Sequence, residues 1–409
     1  MRDRVILHCD CNSFFASVET VLNPALRDVP MAVCGSEEAR HGIVLAKNDL
    51  AKKYGIKTAE TVFSARKKCP GLVTVPPHHD LYVEYSRRAN EIYARYTDMI
   101  EPFGIDESWL DVTASRKLFG SGKEIAEKIS RDIKKELGIT ISVGVSFNKV
   151  FAKLGSDYKK PDAITAIERE DVERIVYPLP VSDLLFVGNK TADQLRSMGI
   201  RTIGELASIS QELLVRRFGK LGEMLFSYSR GLDDSPVESS SGEVKSISCG
   251  FTFKHDLLTL DECRVGIDHF SDEIATKLRK RGLKCSTVQL TIKNEHLSTI
   301  QRQCKLLRST DIGAEISEGA IGLLRASWNV GDPIRMMNVG VSSLVSESDS
   351  PVQISFLDQE DDTKRMKKKN AEDIVDKIRQ KHGEGAIIKG ALLGSDIGIY
   401  DRTKRFDKE

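Results

Sequence analysis

FGIDESWLD, residues 103 to 111, places two adjacent acids, Asp106 and Glu107, inside a stretch that otherwise reads as a strand edge. Neighbouring residues of a regular strand point to opposite faces of the sheet, so both carboxylates reach one site only where the chain bends between them. The stretch therefore predicts a hairpin tip at the two acids, with one strand before it (99 to 104) and one after it (108 to 112).

The segments around this hairpin predict a small α+β sheet. VILHC (5 to 9) reads as an apolar strand ending at Asp10, and a compact insert follows it. The later pattern is a helix (80 to 98), the hairpin, a helix (122 to 136) and a strand (139 to 145). This order matches a ferredoxin-like sheet with helices on one face, in which neighbouring strands bring Asp10 beside the acidic bend. We therefore expect three carboxylates to converge.

The bulk composition limits the classes of protein to consider. A chain of 409 residues, 40% of them apolar and 30% charged, predicts a globular protein with roughly two to four domains. Neither a long apolar run nor a signal-peptide pattern is present, so we expect a cytoplasmic protein without membrane contact. The eight cysteines lack the paired spacing of a zinc site, and the net charge of +1 means that any nucleic-acid surface must be local.

The second half of the chain reads as further modules. Residues 178 to 230 are predicted to be helical, with turns at Gly188 and Gly199 that resemble a helix-hairpin-helix unit. DDSPVESSSGEV (233 to 244) has the composition of a linker, and strand and helix patterns alternate after it as a separate α/β domain. The polar stretch from about 346 predicts an exposed tail, followed by an amphipathic helix at 371 to 382.

Asp10, Asp106 and Glu107 are hard oxygen ligands, which suit Mg²⁺ better than zinc. Two such ions can activate an attacking hydroxyl and stabilise leaving pyrophosphate, which makes nucleotidyl transfer the natural reaction. The alternative is that Asp106 and Glu107 are solvated acids at a hairpin tip and that Asp10 caps a helix. Residue spacing alone leaves both readings open.

Three longer stretches carry a family resemblance. HCDCNSFFASVE, GIDESWLDVT and ISVGVSFNKVFAKLGSDYKKPDAIT resemble the Y-family DNA polymerases, most closely their bacterial members, and the match runs in order through nearly the whole chain. The resemblance implies an α+β multidomain right-hand polymerase with a ferredoxin-like palm, small fingers, a helix-hairpin-helix thumb and an α/β little-finger domain. The implied ranges are 1–10 and 78–168 for the palm, 11–77 for the fingers, 169–232 for the thumb, 233–243 for the linker, 244–345 for the little finger and 346–409 for the tail.

The resemblance also implies a reaction. Asp10, Asp106 and Glu107 would be catalytic metal ligands, joined by the backbone carbonyl of Cys11, and two Mg²⁺ ions, with Mn²⁺ as a substitute, would serve the addition of deoxynucleotides to a primer 3′ end. Low-fidelity translesion synthesis in DNA repair, by a monomer that binds primer-template DNA, would follow. A non-catalytic DNA-binding scaffold and a palm-fold nucleotide cyclase are the alternatives, and the cyclase would need neither thumb nor little finger.

The nucleotide pocket is assigned by the same resemblance. Phe15 stands at the position of the steric gate, an aromatic ring that excludes a ribose 2′-hydroxyl, whereas Phe14 reads as core packing with a place in the same pocket. Lys153 matches a lysine that contacts the incoming triphosphate, and Lys52 falls where an arginine with the same task is frequent. Two positions depart from the family: Asp49 replaces a common tyrosine, and Ser13 replaces another aromatic residue. We expect altered nucleotide affinity or fidelity from them.

Two further segments read as contacts for DNA. KLRKRGLK ends a predicted helix, and within a little finger its basic residues would meet backbone phosphates instead of forming a plain solvated helix end. Gly188 would present backbone N–H groups to a phosphate at a helix start, with Lys190 as a helper. The basic residues concerned are Lys277, Arg279, Lys280, Arg281 and Lys284.

QISFL, residues 353 to 357, places two large apolar residues in a charged tail. The string resembles the peptide by which bacterial polymerases bind the sliding clamp, with Gln353, Phe356 and Leu357 as its anchors and the two apolar residues in reversed order. A short peptide of this kind binds modestly and acts by tethering.

Overall fold

The structure is a computed structural model that describes residues 4–36, 40, 42–239, 244–346 and 359–399. The chain divides into two units, which are described separately below. Unit 1 comprises Met1–Gly35 and Ile43–Ser241, and unit 2 comprises Ser36–Gly42 and Gly242–Glu409.

Unit 1 contains eight strands and eleven α-helices among its described residues. The strands are β1 (Ile6–Cys11), β2 (Met31–Cys34), β3 (Val44–Lys47), β4 (Val73–Val75), β5 (Ile100–Pro102), β6 (Glu107–Asp111), β7 (Ile141–Ser146) and β8 (Ile164–Ile167). The helices are α1 (Phe14–Leu22), α2 (Asp49–Lys53), α3 (Val62–Lys68), α4 (His79–Tyr93), α5 (Arg116–Phe119), α6 (Gly122–Leu137), α7 (Lys149–Tyr158), α8 (Asn189–Ser197), α9 (Ile203–Ala207), α10 (Gln211–Phe218) and α11 (Lys220–Ser229).

The main sheet of unit 1 has the order β5-β6-β1-β7-β8. β1 lies at its centre and pairs antiparallel with β6 on one side and β7 on the other. Strands β5, β6, β1 and β7 have the ferredoxin-like order, so the predicted strand order is confirmed. The prediction of helices on one face is incomplete, because α7 covers the other face. β8, which the sequence pattern did not indicate, extends the sheet parallel to β7.

One face of this sheet is covered by α4 and α6. The stripe Ile125, Ile129 and Ile133 of α6 is fully buried and packs in one core with Leu7 and Cys9 of β1. Burying each such side chain stabilises the fold by roughly 1.5–3 kcal/mol. The sequence marks both ends of α6, since a capping box stands at its start and a glycine in the left-handed region follows its end.

The opposite face of the sheet is covered by α7, which packs against β1, β7 and β8. The approach is so close that a Cβ atom on Gly144 would lie 1.8 Å from the carbonyl oxygen of Ala152. Only glycine fits at that position. This contact places the helix that carries Lys153 directly beside the face that carries Asp10.

Two smaller cores complete unit 1. The second sheet, ordered β3-β2-β4, packs with α2 and α3 around a core of its own. Helices α8 to α11 form a helical core, in which Gly188 is the N-cap residue of α8 and Gly199 turns the chain with a φ of 83°.

Unit 2 is an antiparallel sheet with helices. Its described elements are β9 (Ser246–Leu257), α12 (Leu260–Arg279), β10 (Leu283–Asn294), β11 (Thr299–Thr310), α13 (Gly313–Ser327), β12 (Ile334–Ser346), α14 (Gln359–His382) and α15 (Gly390–Leu393). The sheet order is β11-β10-β12-β9, and α12 and α13 pack on it around a second large core. β11 was not expected from the sequence.

The predicted helix at 371 to 382 is wrong in its extent, because α14 runs from Gln359 to His382. The chain after it belongs to unit 2 as well, since Leu392, Ile397 and Ile399 are buried in the core of that unit. The tail therefore contributes both a long helix and core residues to the domain.

Two expectations about composition can be compared with the structure. None of the eight cysteines, all of which lie among the described residues, forms a disulfide, and seven of them are buried. In the part of the chain that the structure describes, no helix is both long and apolar enough to cross a membrane.

Candidate active site

The acids of the hairpin meet Asp10 at one end of the main sheet. Asp10 lies directly opposite Glu107 in the antiparallel pairing of β1 with β6. Asp106 precedes Glu107 in the bend, and its carbonyl oxygen accepts a 2.9 Å hydrogen bond from the backbone N–H of Cys11. Asp10 and Glu107 therefore face each other, and Asp106 lies next to them in the bend, near enough for their charges to act on it.

The two aspartates of this cluster are harder to ionise than ordinary aspartates. Burial and the negative charges of Asp10 and Glu107 raise the pKa of Asp106 to about 6. Burial also raises the pKa of Asp10, although Lys160 opposes that shift. A bound cation would stabilise the ionised form of these carboxylates. The oxygen donors therefore fit a divalent ion that prefers oxygen ligands.

Glu107 behaves differently from the two aspartates. Burial would raise its pKa, but hydrogen bonds with His8 and Lys153 outweigh burial and lower the pKa of Glu107 to about 2. The Nζ atom of Lys153 lies 2.6 Å from Oε2 of Glu107, and Nε2 of His8 lies 3.3 Å from the same oxygen. Glu107 is therefore ionised at neutral pH, with one oxygen already engaged.

Two neighbours of these carboxylates, Lys160 and His8, were not identified from the sequence pattern used above. The Nζ atom of Lys160 lies 2.6 Å from Oδ2 of Asp10, so each strand acid has its own lysine. His8 shares a face of β1 with Asp10, and its ligand atom and those of Asp10 and Glu107 all lie within 4.8 Å of one another. Strand alternation from Asp10 could have identified His8, whereas Lys160 had no signal beyond its nearness to the motif.

The two aromatic residues after Asp10, Phe14 and Phe15, lie in different environments. Phe14 is 3% exposed and belongs to the core under the sheet. Phe15 is only partly buried, and its ring stacks on Tyr82 with centroids 4.1 Å apart. Phe15 is thus supported from behind by a second ring.

Comparisons with known proteins bear on this geometry. Residues 9–157 match the model of the impB/mucB/samB family, residues 244–356 match its C-terminal domain, and residues 182–233 match the thumb domain of DNA polymerase-iota. DNA polymerase IV of Acetivibrio thermocellus is 48% identical over 398 residues, which are 97% of this chain and 99% of that protein. The chain belongs to the Y-family DNA polymerases. Its enzyme class is therefore that of the DNA-directed DNA polymerases.

Other similar proteins agree with this family. DNA polymerase IV of Moorella thermoacetica is 38% identical and covers 97% of this chain and 98% of its own length. A solved Y-family DNA polymerase chimera of Dbh and Dpo4 aligns with a TM-score of 0.74 and 24% identity, over 84% of this chain and 99% of that one. The solved structure shows that the right-hand polymerase fold is shared.

The other residues predicted for the nucleotide pocket lie on the insert after β1. Lys52 is exposed on α2, and Asp49 is the first residue of that helix. Ser13 has a φ of 47°, in the left-handed region, and lines one cavity together with Asp49. The two departures from the family pattern are thus neighbours on a single surface.

The basic segment of unit 2 does not act as one group. Arg279 is 8% exposed, and its guanidinium lies 2.6 Å from Asp376 and 2.5 Å from Glu372 of α14. Its expected contact with DNA is corrected, because these carboxylates occupy its donors within the domain. The other four basic residues, Lys277, Lys280, Arg281 and Lys284, remain predictions, as do Gly188 and the exposed Lys190.

The clamp-binding prediction at Gln353, Phe356 and Leu357 lies outside the residues that the structure describes. The described chain resumes at Gln359 with α14.

Proposed function

We propose that the chain adds deoxynucleotides to a primer 3′ end under the direction of a template, by two-metal nucleotidyl transfer. The observation that carries this proposal is the convergence of Asp10, Asp106 and Glu107 at the end of the main sheet, with a lysine on each strand acid. Bound Mg²⁺, or Mn²⁺ in its place, would activate the primer hydroxyl and stabilise the leaving pyrophosphate. The ligands would be the three carboxylates and the carbonyl of Cys11.

Lys153 and Lys160 act on charge at this site. Each lysine neutralises one carboxylate at a distance of 2.6 Å. With divalent cations bound to the carboxylates, both ammonium groups would be available to the triphosphate, and they would place positive charge where the leaving group develops negative charge. Lys52 on α2 would add a third contact from the fingers.

Primer extension with Mg²⁺ and deoxynucleotides tests the reaction. We expect Glu107→Gln to lower the rate at least about a hundredfold, since a metal ligand contributes several kcal/mol to the stabilisation of transition-state charge. Asp111→Asn, at the other end of β6, is the matched control and should keep the rate within a few-fold. Full activity of a folded Glu107→Gln protein would refute the proposal.

The steric gate is proposed at Phe15. Because Tyr82 supports the ring, Phe15 can exclude a 2′-hydroxyl without moving aside. We expect Phe15→Ala to raise the ratio of ribonucleotide to deoxynucleotide incorporation at least about tenfold, a typical effect of reshaping an apolar pocket. An unchanged ratio would place the gate at another residue.

Contacts with DNA are proposed for four basic residues at the end of α12 and beyond it, Lys277, Lys280, Arg281 and Lys284, and for Gly188 and Lys190. Phosphate contacts of this kind hold any sequence and weaken with salt. The clamp peptide is proposed at residues 353–357; its deletion should abolish binding to a sliding clamp while distributive synthesis continues, and persistent binding would exclude it.

Translesion synthesis of low fidelity is the proposed biological role, and extension across a panel of damaged templates tests it directly. A non-catalytic scaffold would bind the same DNA without extending the primer, so the same incubation separates the two functions.

A further inference from the structure

The exposed side of α14, over residues 363 to 382, carries lysines that no acid neutralises. Five lysines of this helix are exposed, and none of them forms an ion pair among the described residues: Lys364, Lys367, Lys368, Lys377 and Lys381. Residues 363 to 382 contain three acids, and all three pair with Arg279 of α12: Glu372, Asp373 and Asp376. This part of α14 therefore has no carboxylate left for its exposed lysines.

The spacing of these lysines works against the helix itself. Lys364 and Lys368 are four residues apart, as are Lys377 and Lys381, and like charges at this spacing destabilise a helix. By contrast, three basic residues on the opposite side of α14 pair with acids of unit 2. The exposed lysines are therefore available to an anion from outside the chain, which would relieve their repulsion.

Arg279 fixes the place of these lysines within unit 2. It is the last residue of α12, and Lys280 and Arg281 follow it directly. Thr276, three residues earlier in α12, donates a 2.9 Å hydrogen bond to Asp376, so α14 is held against this end of α12 by both residues. The lysines of α14 therefore extend the basic segment for which contacts with DNA are proposed above.

We propose that the exposed side of α14 binds backbone phosphates of DNA. The lysines extend from Lys364 to Lys381, over about 25 Å of helix at a rise of 1.5 Å per residue. Duplex DNA carries one negative charge per about 1.7 Å of its axis, so a row of charges this long matches a polyanion better than a single phosphate group. Lysines contact phosphates as point charges and do not read base sequence. The inference rests on the proposed binding of primer-template DNA and adds a surface to it.

Three variants of the full chain test this surface. The first removes charge with glutamine, a good helix former, at three positions: Lys364→Gln, Lys367→Gln and Lys368→Gln. The second keeps the charge by placing arginine at the same three positions. The third is the matched control and removes the same charge from exposed lysines of unit 1: Lys117→Gln, Lys123→Gln and Lys135→Gln. Fluorescence anisotropy follows the binding of each protein to a labelled primer-template duplex over a range of salt concentrations.

The measured quantity is the slope of the logarithm of the binding constant against the logarithm of the salt concentration. We expect the glutamine variant of α14 to reduce the magnitude of this slope by about 2 to 3, since each lost phosphate contact removes about 0.9. Its binding should weaken equally for duplexes of unrelated sequence. The arginine variant and the control in unit 1 should keep the wild-type slope.

The outcomes distinguish this inference from the proposed function. A wild-type slope in the folded glutamine variant of α14 would overturn the surface, and so would an equal loss in the control, because net charge would then explain the effect. An unchanged slope together with weaker binding to a sliding clamp would assign the lysines to an acidic protein and also overturn the inference. If the wild-type chain itself does not bind the duplex, the proposed function fails as well.

Discussion

The active site and α14 each bring several acids together, but the two regions differ in how completely these acids are paired with cations. At the end of the main sheet, Lys153 and Lys160 neutralise Glu107 and Asp10, while Asp106 has no ion pair among the described residues. On α14, Glu372 and Asp376 both pair with Arg279 of α12, and Asp376 also accepts a 2.9 Å hydrogen bond from Thr276.

The whole inner face of α14 follows the second pattern. Residues spaced three and four apart each meet an opposite charge or a backbone donor of unit 2. The contacts are Arg365 with Glu315, Lys369 with Asp311, Glu372 with Arg279 and the N–H of Gly313, Asp376 with Arg279, and Arg379 with Asp272. Paired charges of this kind hold α14 in place. The acids of the active site are only partly paired, which suits them to binding a cation.

The largest effect on stability should come from Arg279. Replacing it by methionine leaves Glu372 and Asp376 half-buried without their cation, so we expect the free energy of unfolding of unit 2 to fall by about 2 kcal/mol. Lys277→Met is the control, because the ion pair of Lys277 with Glu273 is exposed, at 3.5 Å, and should cost less than about 0.5 kcal/mol. Equal effects in urea unfolding would show that α14 does not depend on this arginine.

A smaller loss is expected from Asp376→Asn. Burial would raise the pKa of Asp376, but the hydrogen bonds from Arg279 and Thr276 lower it, so the ionised carboxylate stabilises the folded state. The variant should lose about 1 kcal/mol at pH 7. The difference from wild type should shrink as pH falls below the unfolded pKa of about 4, and it should disappear once pH is below the lower pKa of the folded state, where the carboxyl is protonated in both states. A loss that persists in acid would assign the effect to packing.

Parts of the fold could be predicted from local pattern, and parts could not. The bend at Asp106 and the buried strand before Asp10 follow from residue order and alternation. β11 was missed because most of its first half is exposed and carries polar side chains such as Gln301 and Arg302. The first half of α14 was missed for a related reason: its packed face is charged, so no apolar period marks it.

The site residues also divide into those that could be predicted from the sequence and those that could not. The three carboxylates could be predicted because chemistry and strand ends coincide there, and the roles of Phe14 and Phe15 differ in exposure as their assignments imply. Arg279 was misassigned because a basic run looks the same in sequence whether it faces DNA or an acidic helix. Its partners Glu372 and Asp376 lie about a hundred residues away, and only the tertiary structure brings them near.

We expect that burial of the active-site acids, together with the repulsion among them, destabilises the fold until a cation binds. Asp106→Asn tests it most directly, through the free energy of unfolding of unit 1 without divalent ions. A carboxyl with a raised folded pKa costs stability above its unfolded pKa of about 4, and the full cost is present above its folded value of about 6. We therefore expect the variant to be more stable than wild type at pH 7 by up to about 1 kcal/mol, with no difference at pH 4. A variant that is less stable than wild type at pH 7, as expected for Asp376→Asn, would contradict the account.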